Sequence, residues 1–352
     1  MNNCKKARNV QDDCIRIIAL ILMVTTHSNK QSLSPILLSL LPVITLTCNG
    51  LYFMLSGKYN LQFDGTTPRD YLNYYFRKFT NLLIPYTIYS LAYFLITQIP
   101  IHGRISLDCF LSYLINDNCL NHLWFMAPFF GAVLSAPFLS KMFQKMTNTE
   151  LKVLLVVAFS WDFLRLFLVS GIHFSFYYRD WIFDDWMFYF ILGYITERLY
   201  DEIKIKIIYM LGLCSIFITF LLNYHFVNYS ENSLDLSPVY IMVVLFFYLF
   251  FRHTISVKNI HLQKVFTLLT SYVFGIYAFH PLFLSKIGDL FNPNISDSWQ
   301  IIWILVLMFK VLITILLSLV LTLIVDNALV HPIQKLCWKV YSHFVSAKTC
   351  IR

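Results

Sequence analysis

Apolar stretches recur along the whole chain, and most are long enough to cross a bilayer as a helix of about 20 residues. Short segments that carry most of the charged residues separate them. Because backbone polar groups in lipid must be satisfied internally, runs of this length are predicted to be helical. We therefore predict one all-α, multi-pass membrane domain over residues 1–352, with a helical core of about 14–325 and short tails. About ten transmembrane helices are predicted, near residues 14–30, 36–57, 82–100, 122–140, 151–170, 181–199, 205–225, 237–252, 266–288 and 300–325.

Composition and charge agree with this arrangement. The chain is 58% hydrophobic and 13% charged, whereas soluble domains average about 25% charged residues. With ten crossings and an inside N-terminus, 20 of the 27 lysines and arginines fall in inside segments, and only Lys30, Arg104, Arg179 and Lys286 fall outside. Basic residues favour the cytoplasmic side of membrane proteins. Both termini are therefore predicted to be cytoplasmic.

The net charge of +8 reflects this inside bias and does not require a nucleic-acid partner. No soluble segment carries a basic patch interleaved with aromatic residues, so the predicted partners include the lipid bilayer but no nucleic acid. Neither CxxC nor HExxH occurs, and no metal site is predicted.

The first predicted helix contains an unusual pair, Arg16 and His27. The ten residues between them carry no charge, and eleven helical steps return to nearly the same face, roughly 16 Å further along. A charge deep in a bilayer is costly, and such residues usually line a cavity or a reaction path. One face of this helix therefore offers an arginine toward the inner surface and a histidine in the outer half.

Four further motifs follow this pair in order along the chain. The second helix ends in YFMLSGKYN, FRKFTNLLIPY enters the third, the fourth opens with NHLWFMAPFF, and the ninth reads SYVFGIYAFHPLFL. Together, the motifs resemble those of the acyltransferase-3 family of integral membrane acyltransferases, over about residues 12–325. That family has arginine–ten residues–histidine, FFxxSG, WF and GIYxxHP motifs. The matching residues here are Arg16, His27, Tyr52, Phe53, Ser56, Gly57, Trp124, Phe125, Gly275, Ile276, Tyr277, His280 and Pro281.

Two positions depart from the family pattern. Tyr52 replaces the first phenylalanine of FFxxSG, and Asn81 stands where the family's KRxxRLLxP stretch has its last arginine. A phosphate contact assigned to that arginine therefore does not carry over to this chain. The sequence ends soon after the tenth predicted helix, so we expect the form without a fused esterase-like domain.

The resemblance implies transfer of an acyl group, most often acetyl, from cytoplasmic acetyl-CoA. The acceptor would be a hydroxyl of a cell-surface polysaccharide or its lipid-linked precursor, at the outer face of a bacterial plasma membrane. His27 is predicted to be the general base, because the ordinary pKa of histidine, about 6.5, lies near working pH. A role for His27 as a transient acyl carrier stays open. Arg16 is predicted to position the donor through a CoA phosphate or the thioester carbonyl.

Further residues are candidates for binding the donor or for binding substrate. Donor binding is assigned to three cations at the inner surface, Lys58, Arg77 and Lys78. Substrate binding is assigned to motif residues and the outside mouth of the sixth helix, namely Ser56, Gly57, Trp124, Tyr277, His280 and Asp184. Structural roles are open at several of these positions. Ser56 and Gly57 suit close helix packing, and Trp124 suits an aromatic anchor at the membrane interface.

Two other function classes, a transporter and a receptor or scaffold, are alternatives to the acyltransferase. A transporter or flippase for a glycan-related or lipid substrate also needs polar residues near the bilayer midplane, but the two halves of this chain show no internal repeat. A receptor or scaffold would not need Arg16 and His27 aligned across the core. The acyltransferase interpretation is therefore preferred.

Overall fold

The computed structural model describes residues 9–28, 30, 33–102, 108, 110, 111, 114, 123–166, 185–226, 237–290 and 299–347. Within these ranges the long elements are all helices and none is a strand. They are α1 (Val10–His27), α2 (Pro35–Thr45), α3 (Thr47–Asn60), α4 (Pro68–Lys78), α5 (Ile84–His102), α6 (Met126–Lys145), α7 (Asn148–Leu166), α8 (Asp185–Arg198), α9 (Ile205–Phe226), α10 (Pro238–Thr254), α11 (Ile260–Leu290), α12 (Gln300–Val325) and α13 (His331–Ala347). Two π-helical segments, Phe79–Leu83 and Asp326–Val330, continue α4 into α5 and α12 into α13.

Local sequence accounts for several helix starts. The Asn9 side chain accepts a hydrogen bond from the backbone N–H of Gln11 and caps α1. At α4, Thr67 and Asp70 form a reciprocal capping box, with Pro68 at the first helical position. Side-chain caps of this kind satisfy backbone donors that have no partner inside the helix.

Each of the ten predicted segments contains a helix in the structure, with two differences. The second segment is divided at Leu46, where the Thr47 hydroxyl donates to Ile44 O and competes with the regular helical ladder. Two helices, α4 and α13, were not predicted. Both are amphipathic and too rich in polar residues to register as membrane-spanning apolar runs.

Six helical stretches of the described residues are long and apolar enough to cross a membrane: Pro35–Asn60, Pro68–Thr97, Met126–Lys145, Ile205–His225, Ile260–Gly288 and Gln300–Phe344. Helix α1 falls outside this group because Asp12, Asp13 and Arg16 lie within its first turns. The all-helical membrane character is confirmed. The count of ten crossings and the cytoplasmic termini stay predictions.

Helix α1 lies at the centre of the fold, packed against α2, α3, α10, α11 and α12. Beside it, α3 and α8 pack most closely of all helix pairs described here. A Cβ atom on Gly57 would lie 1.6 Å from Phe190 O, and one on Gly193 would lie 1.9 Å from Met54 O. The two glycines thus allow backbone-to-backbone contact, as small residues do in membrane bundles. This contact sets the position of the C-terminal end of α3.

Candidate active site

The arginine of the first-helix pair is held near the N-terminal end of α1 by its own helix. Arg16 Nη1 lies 3.0 Å from Asp13 Oδ1, one turn earlier, and the Asp13 side chain is fully buried. The Arg16 guanidinium also stands over the Tyr59 ring, 5.3 Å from its centroid. The Arg16 side chain keeps 27% of its surface exposed. It is therefore oriented on one side and open on the other.

The open side of Arg16 faces a cavity of about 570 Å³ between α1, α3, α4, α6 and α11. Of the residues that the structure describes, three basic side chains line it, Arg16, Arg77 and Lys78, and no carboxylate does. Phe125, Met126 and other apolar side chains form the opposite wall. A concave site with apolar walls and a few charged groups is typical of small-molecule binding, and this one favours anions.

Ser56 and Lys78 are joined across this cavity by Asn60. The Lys78 ammonium donates to Asn60 Oδ1, and Asn60 Nδ2 donates to Ser56 Oγ over 2.9 Å. Lys78 also stands 5.2 Å from the centroid of the Tyr74 ring. The polar chain runs from the end of α4 to the end of α3. It places Ser56 in the cavity wall, together with the cavity's basic side chains.

The segment that presents Arg77 and Lys78 is supported from outside the cavity. The π-helical turn directly after Lys78 leaves Thr80 O available, and Gln334 Nε2 of α13 donates to it over 2.8 Å. The Tyr341 ring stacks on Phe76 with centroids 3.9 Å apart. Single π-helical turns often occur at functional sites. Here α13 holds such a turn in place beside the cavity.

Lys58 takes a different position from Arg77 and Lys78. Its ammonium lies 3.0 Å from Asp12 Oδ1 and 3.2 Å from Glu197 Oε2, and only 9% of its side chain is exposed. Glu197 in turn accepts from Arg252 Nε at 3.0 Å and from the Tyr248 hydroxyl at 2.8 Å. We call Asp12, Lys58, Glu197 and Arg252 the inner ion cluster. Lys58 does not line the cavity, and its predicted donor contact stays a prediction.

The histidine of the first-helix pair meets a second histidine. The rings of His27 and His280 have centroids 5.2 Å apart, on α1 and α11. His280 is completely buried, and its Nδ1 lies 2.6 Å from Tyr277 O. A carbonyl oxygen only accepts, so Nδ1 carries the proton, and in the neutral ring Nε2 is an acceptor. His27 itself is exposed at the end of α1.

Tyr277 connects the two parts of the site. It lines the cavity that contains Arg16, and its ring centroid lies 5.7 Å from that of His280. The Phe125 ring meets it edge-on at 4.9 Å. His27 is not among the residues that line the cavity. The structure therefore brings Arg16, Arg77, Lys78, Ser56 and Tyr277 together, and places the two histidines behind Tyr277.

The remaining predicted residues lie elsewhere. Trp124 is 40% exposed and packs on Trp186 with centroids 5.3 Å apart, outside the cavity lining. Gly57 faces the backbone of α8. Asp184 falls outside the described residues. The substrate contacts assigned to these three residues stay predictions.

The sequence did not predict the inner ion cluster, which lies near the candidate site. Asp12, Glu197 and Arg252 are far apart in sequence, and only their charges within apolar surroundings mark them. Asn60 and Tyr74, which hold Lys78, gave no signal. Among the residues that the structure describes, no group of three or more histidine, cysteine, aspartate or glutamate side chains could hold a metal ion.

Comparisons with known proteins identify the family. No curated protein and no solved structure gave a significant match to the chain. Residues 12–323 match the family model described as an acyltransferase domain, which covers nearly the whole chain. The chain therefore belongs to the acyltransferase-3 family and is a membrane acyltransferase.

Proposed function

We propose that the protein transfers an acyl group, most often acetyl, from cytoplasmic acyl-CoA to a hydroxyl of a cell-surface polysaccharide or its lipid-linked precursor. The proposal places it in a bacterial plasma membrane. The observation that carries it is the cavity beside α1, which combines three cations and, among the described residues, no lining carboxylate. Coenzyme A is rich in phosphate, and such a cavity complements it.

The cavity cations suit different parts of the donor. Arg77 and Lys78 sit at the end of α4, where they would attract phosphate groups. Arg16 is held from one side by Asp13, so its remaining donors point into the cavity. A guanidinium fixed in this way suits bidentate binding of a phosphate or polarisation of a carbonyl. Arg16 is proposed to orient the donor.

His27 is proposed to be the general base. It would take the proton from the acceptor hydroxyl as the oxygen attacks the thioester carbonyl, forming a C–O bond. The C–S bond then breaks, and the CoA thiolate takes up the proton. The ring of His280 contacts that of His27. With its proton on Nδ1, the neutral His280 ring offers Nε2 as a hydrogen-bond acceptor on the same side of Tyr277 as His27. The acceptor is proposed to enter from the outer end of α1.

The proposal is tested in membrane vesicles with radiolabelled acetyl-CoA and purified surface glycan. Intact protein, His27→Ala, Arg16→Ala and the control Lys145→Ala are compared at equal membrane abundance; Lys145 is exposed and outside the cavity lining. We expect label in the glycan with the intact protein and the control, and a loss of 100-fold or more with His27→Ala, the size typical of a general base.

Each alternative has its own result. Unchanged transfer by His27→Ala would remove His27 from the base role. Label that stays on the intact protein after CoA release would favour the acyl-carrier mechanism over direct attack. If no acyl transfer depends on the protein, while glycan still fails to reach the surface without it, the transporter class moves ahead.

A further inference from the structure

A buried lysine in α12 has no function in the site described above. Lys310 lies ten residues into this apolar helix and is only 5% exposed. Within the described part of the chain, the Lys310 ammonium donates no hydrogen bond and has no carboxylate partner. A charge buried in a membrane protein is costly unless it is paired or lines a polar path. The described residues therefore leave this ammonium without an anion.

Lys310 faces the helix bundle. It belongs to a buried stripe along α12 with Trp303, Leu307, Thr314 and Ser318, while neighbouring Met308, Phe309 and Leu312 are exposed. The helices that pack against α12 are chiefly α11 and α1, which carry the two histidines. Lys310 is thus on the side of α12 that belongs to the protein interior.

Helix register gives the depth of Lys310 relative to the histidines. A Cβ on Gly275 would meet the Thr322 side chain, so these two positions of α11 and α12 are level. Taking the two consecutive helices as antiparallel, His280 lies about 7.5 Å beyond that level and Lys310 about 18 Å, at 1.5 Å per residue. Lys310 is therefore about 10 Å further along the bundle than His280. In the predicted topology, that direction is outward, toward the acceptor's entrance.

We propose that Lys310 binds an anionic group of the acceptor, a phosphate or a carboxylate carried by the saccharide. This inference rests on the proposed acyltransferase function and gives its acceptor side a charged contact. An ammonium that the described residues leave unpaired attracts an anion strongly, since the surrounding apolar medium screens charge poorly. The anion would sit outward of His27 and hold the hydroxyl-bearing sugar against it. The proposal selects anionic acceptors over neutral ones.

The test compares acceptors that differ in charge. Initial rates of acetyl transfer are measured for a neutral oligosaccharide, the same oligosaccharide with a terminal phosphate, one with a uronic-acid carboxylate, and one with an alkyl phosphate. Lys310→Met, which keeps the length of the side chain, is compared with Lys310→Arg and with Lys286→Met. Lys286 is an exposed lysine near the same end of α11 and serves as the matched control.

We expect Lys310→Met to raise the KM for anionic acceptors by roughly tenfold or more, as expected on losing one side of a buried charge pair. The KM values for acetyl-CoA and for the neutral oligosaccharide should change less than about twofold, and Lys310→Arg should keep most of the preference. A preference confined to the alkyl phosphate indicates a lipid-linked acceptor. A preference shared by all three anions indicates an acidic polysaccharide.

Two results would overturn the inference while the proposed function stands. One is an equal KM change for neutral and anionic acceptors, which makes Lys310 a structural residue. The other is an equal KM change for anionic acceptors in Lys286→Met. That result would mean that Lys310 adds only the general attraction that any cation on the outer side provides. An intact protein that transfers acetyl to no acceptor would end both proposals. Because Lys310→Met removes an unpaired buried charge, we expect normal membrane abundance for this variant.

Discussion

Replacing Lys58 tests whether this lysine is a donor ligand or a structural ion. The Lys58→Met variant keeps the side-chain volume and leaves Asp12 and Glu197 without the ammonium between them. Among the described residues, Glu197 keeps Arg252 and the Tyr248 hydroxyl, whereas Asp12 keeps the hydroxyl of Tyr59 and the more distant charge of Arg252. The Asp12 side chain is fully buried. The cost of the substitution therefore falls mainly on Asp12.

The size of the effect follows from that burial. Removing one partner of a buried ion pair costs about 3–5 kcal/mol, because the other charge stays in a medium that solvates it poorly. The Tyr59 hydrogen bond offsets part of this, so we expect a loss near the lower end of that range. The double variant Asp12→Asn, Lys58→Met removes both charges and should recover most of the loss. This recovery separates the unpaired charge from any packing defect.

The assay is apparent thermal stability in detergent, with the KM for acetyl-CoA measured on the same preparations. Lys145→Met, at an exposed position, controls for the loss of one positive charge. An ion-cluster role predicts a clear stability loss in Lys58→Met, restored in the double variant. If Lys58→Met is as stable as the control while its KM for acetyl-CoA rises tenfold, Lys58 contacts the donor and our reasoning is refuted.

Further predictions follow from the same contacts. Gly57→Ala should abolish or strongly reduce membrane abundance, because a Cβ there meets the α8 backbone at 1.6 Å, whereas Gly131→Ala, with nothing within 4 Å, should leave abundance unchanged in a membrane immunoblot. Arg77→Ala should raise the KM for acetyl-CoA roughly tenfold, the worth of one charge-assisted hydrogen bond, and Arg69→Ala on the same helix should not. Tyr277→Ala should increase acetyl-CoA hydrolysis relative to transfer, because the ring separates the cavity from the histidines. The ratio is measured as free thiol against glycan ester, and an unchanged ratio would argue against that role.

Much of the fold could be predicted from hydrophobic pattern alone. A membrane-spanning helix needs only its own apolar residues to be recognised, so each predicted segment contains a helix. Helices α4 and α13 were not recognised because both are amphipathic and polar, and in the structure they contact each other. The Phe76 ring stacks on Tyr341, and Asn73 accepts from the Tyr341 hydroxyl at 2.6 Å. Such contacts across more than 250 residues leave no local periodic signal.

The site divides in the same way. Arg16 and Asp13 are one turn apart, so their relation is local, and the helical period also places His27 on a related face. Lys58 was assigned to the donor because a lysine at a helix end is ordinarily free. Its two carboxylate partners come from α1 and α8, and only the assembled bundle brings them within 3.2 Å. Long-range pairing therefore gives Lys58 a set of carboxylate partners that its place in the sequence did not indicate.

The meeting of His27 and His280 shows how these two kinds of information combine. Both histidines stood out in the sequence, at the end of an apolar helix and before a proline, but nothing local predicted that they touch. Their 5.2 Å contact depends on α11 packing along α1, while the bond from His280 to Tyr277 O is set within one turn of α11. The His280 ring is thus oriented by a contact within α11, and the packing of α11 on α1 places it against His27. A cavity lined by cations on one side of Tyr277 and a histidine pair on the other give the proposed transfer a separate place for each of its two substrates.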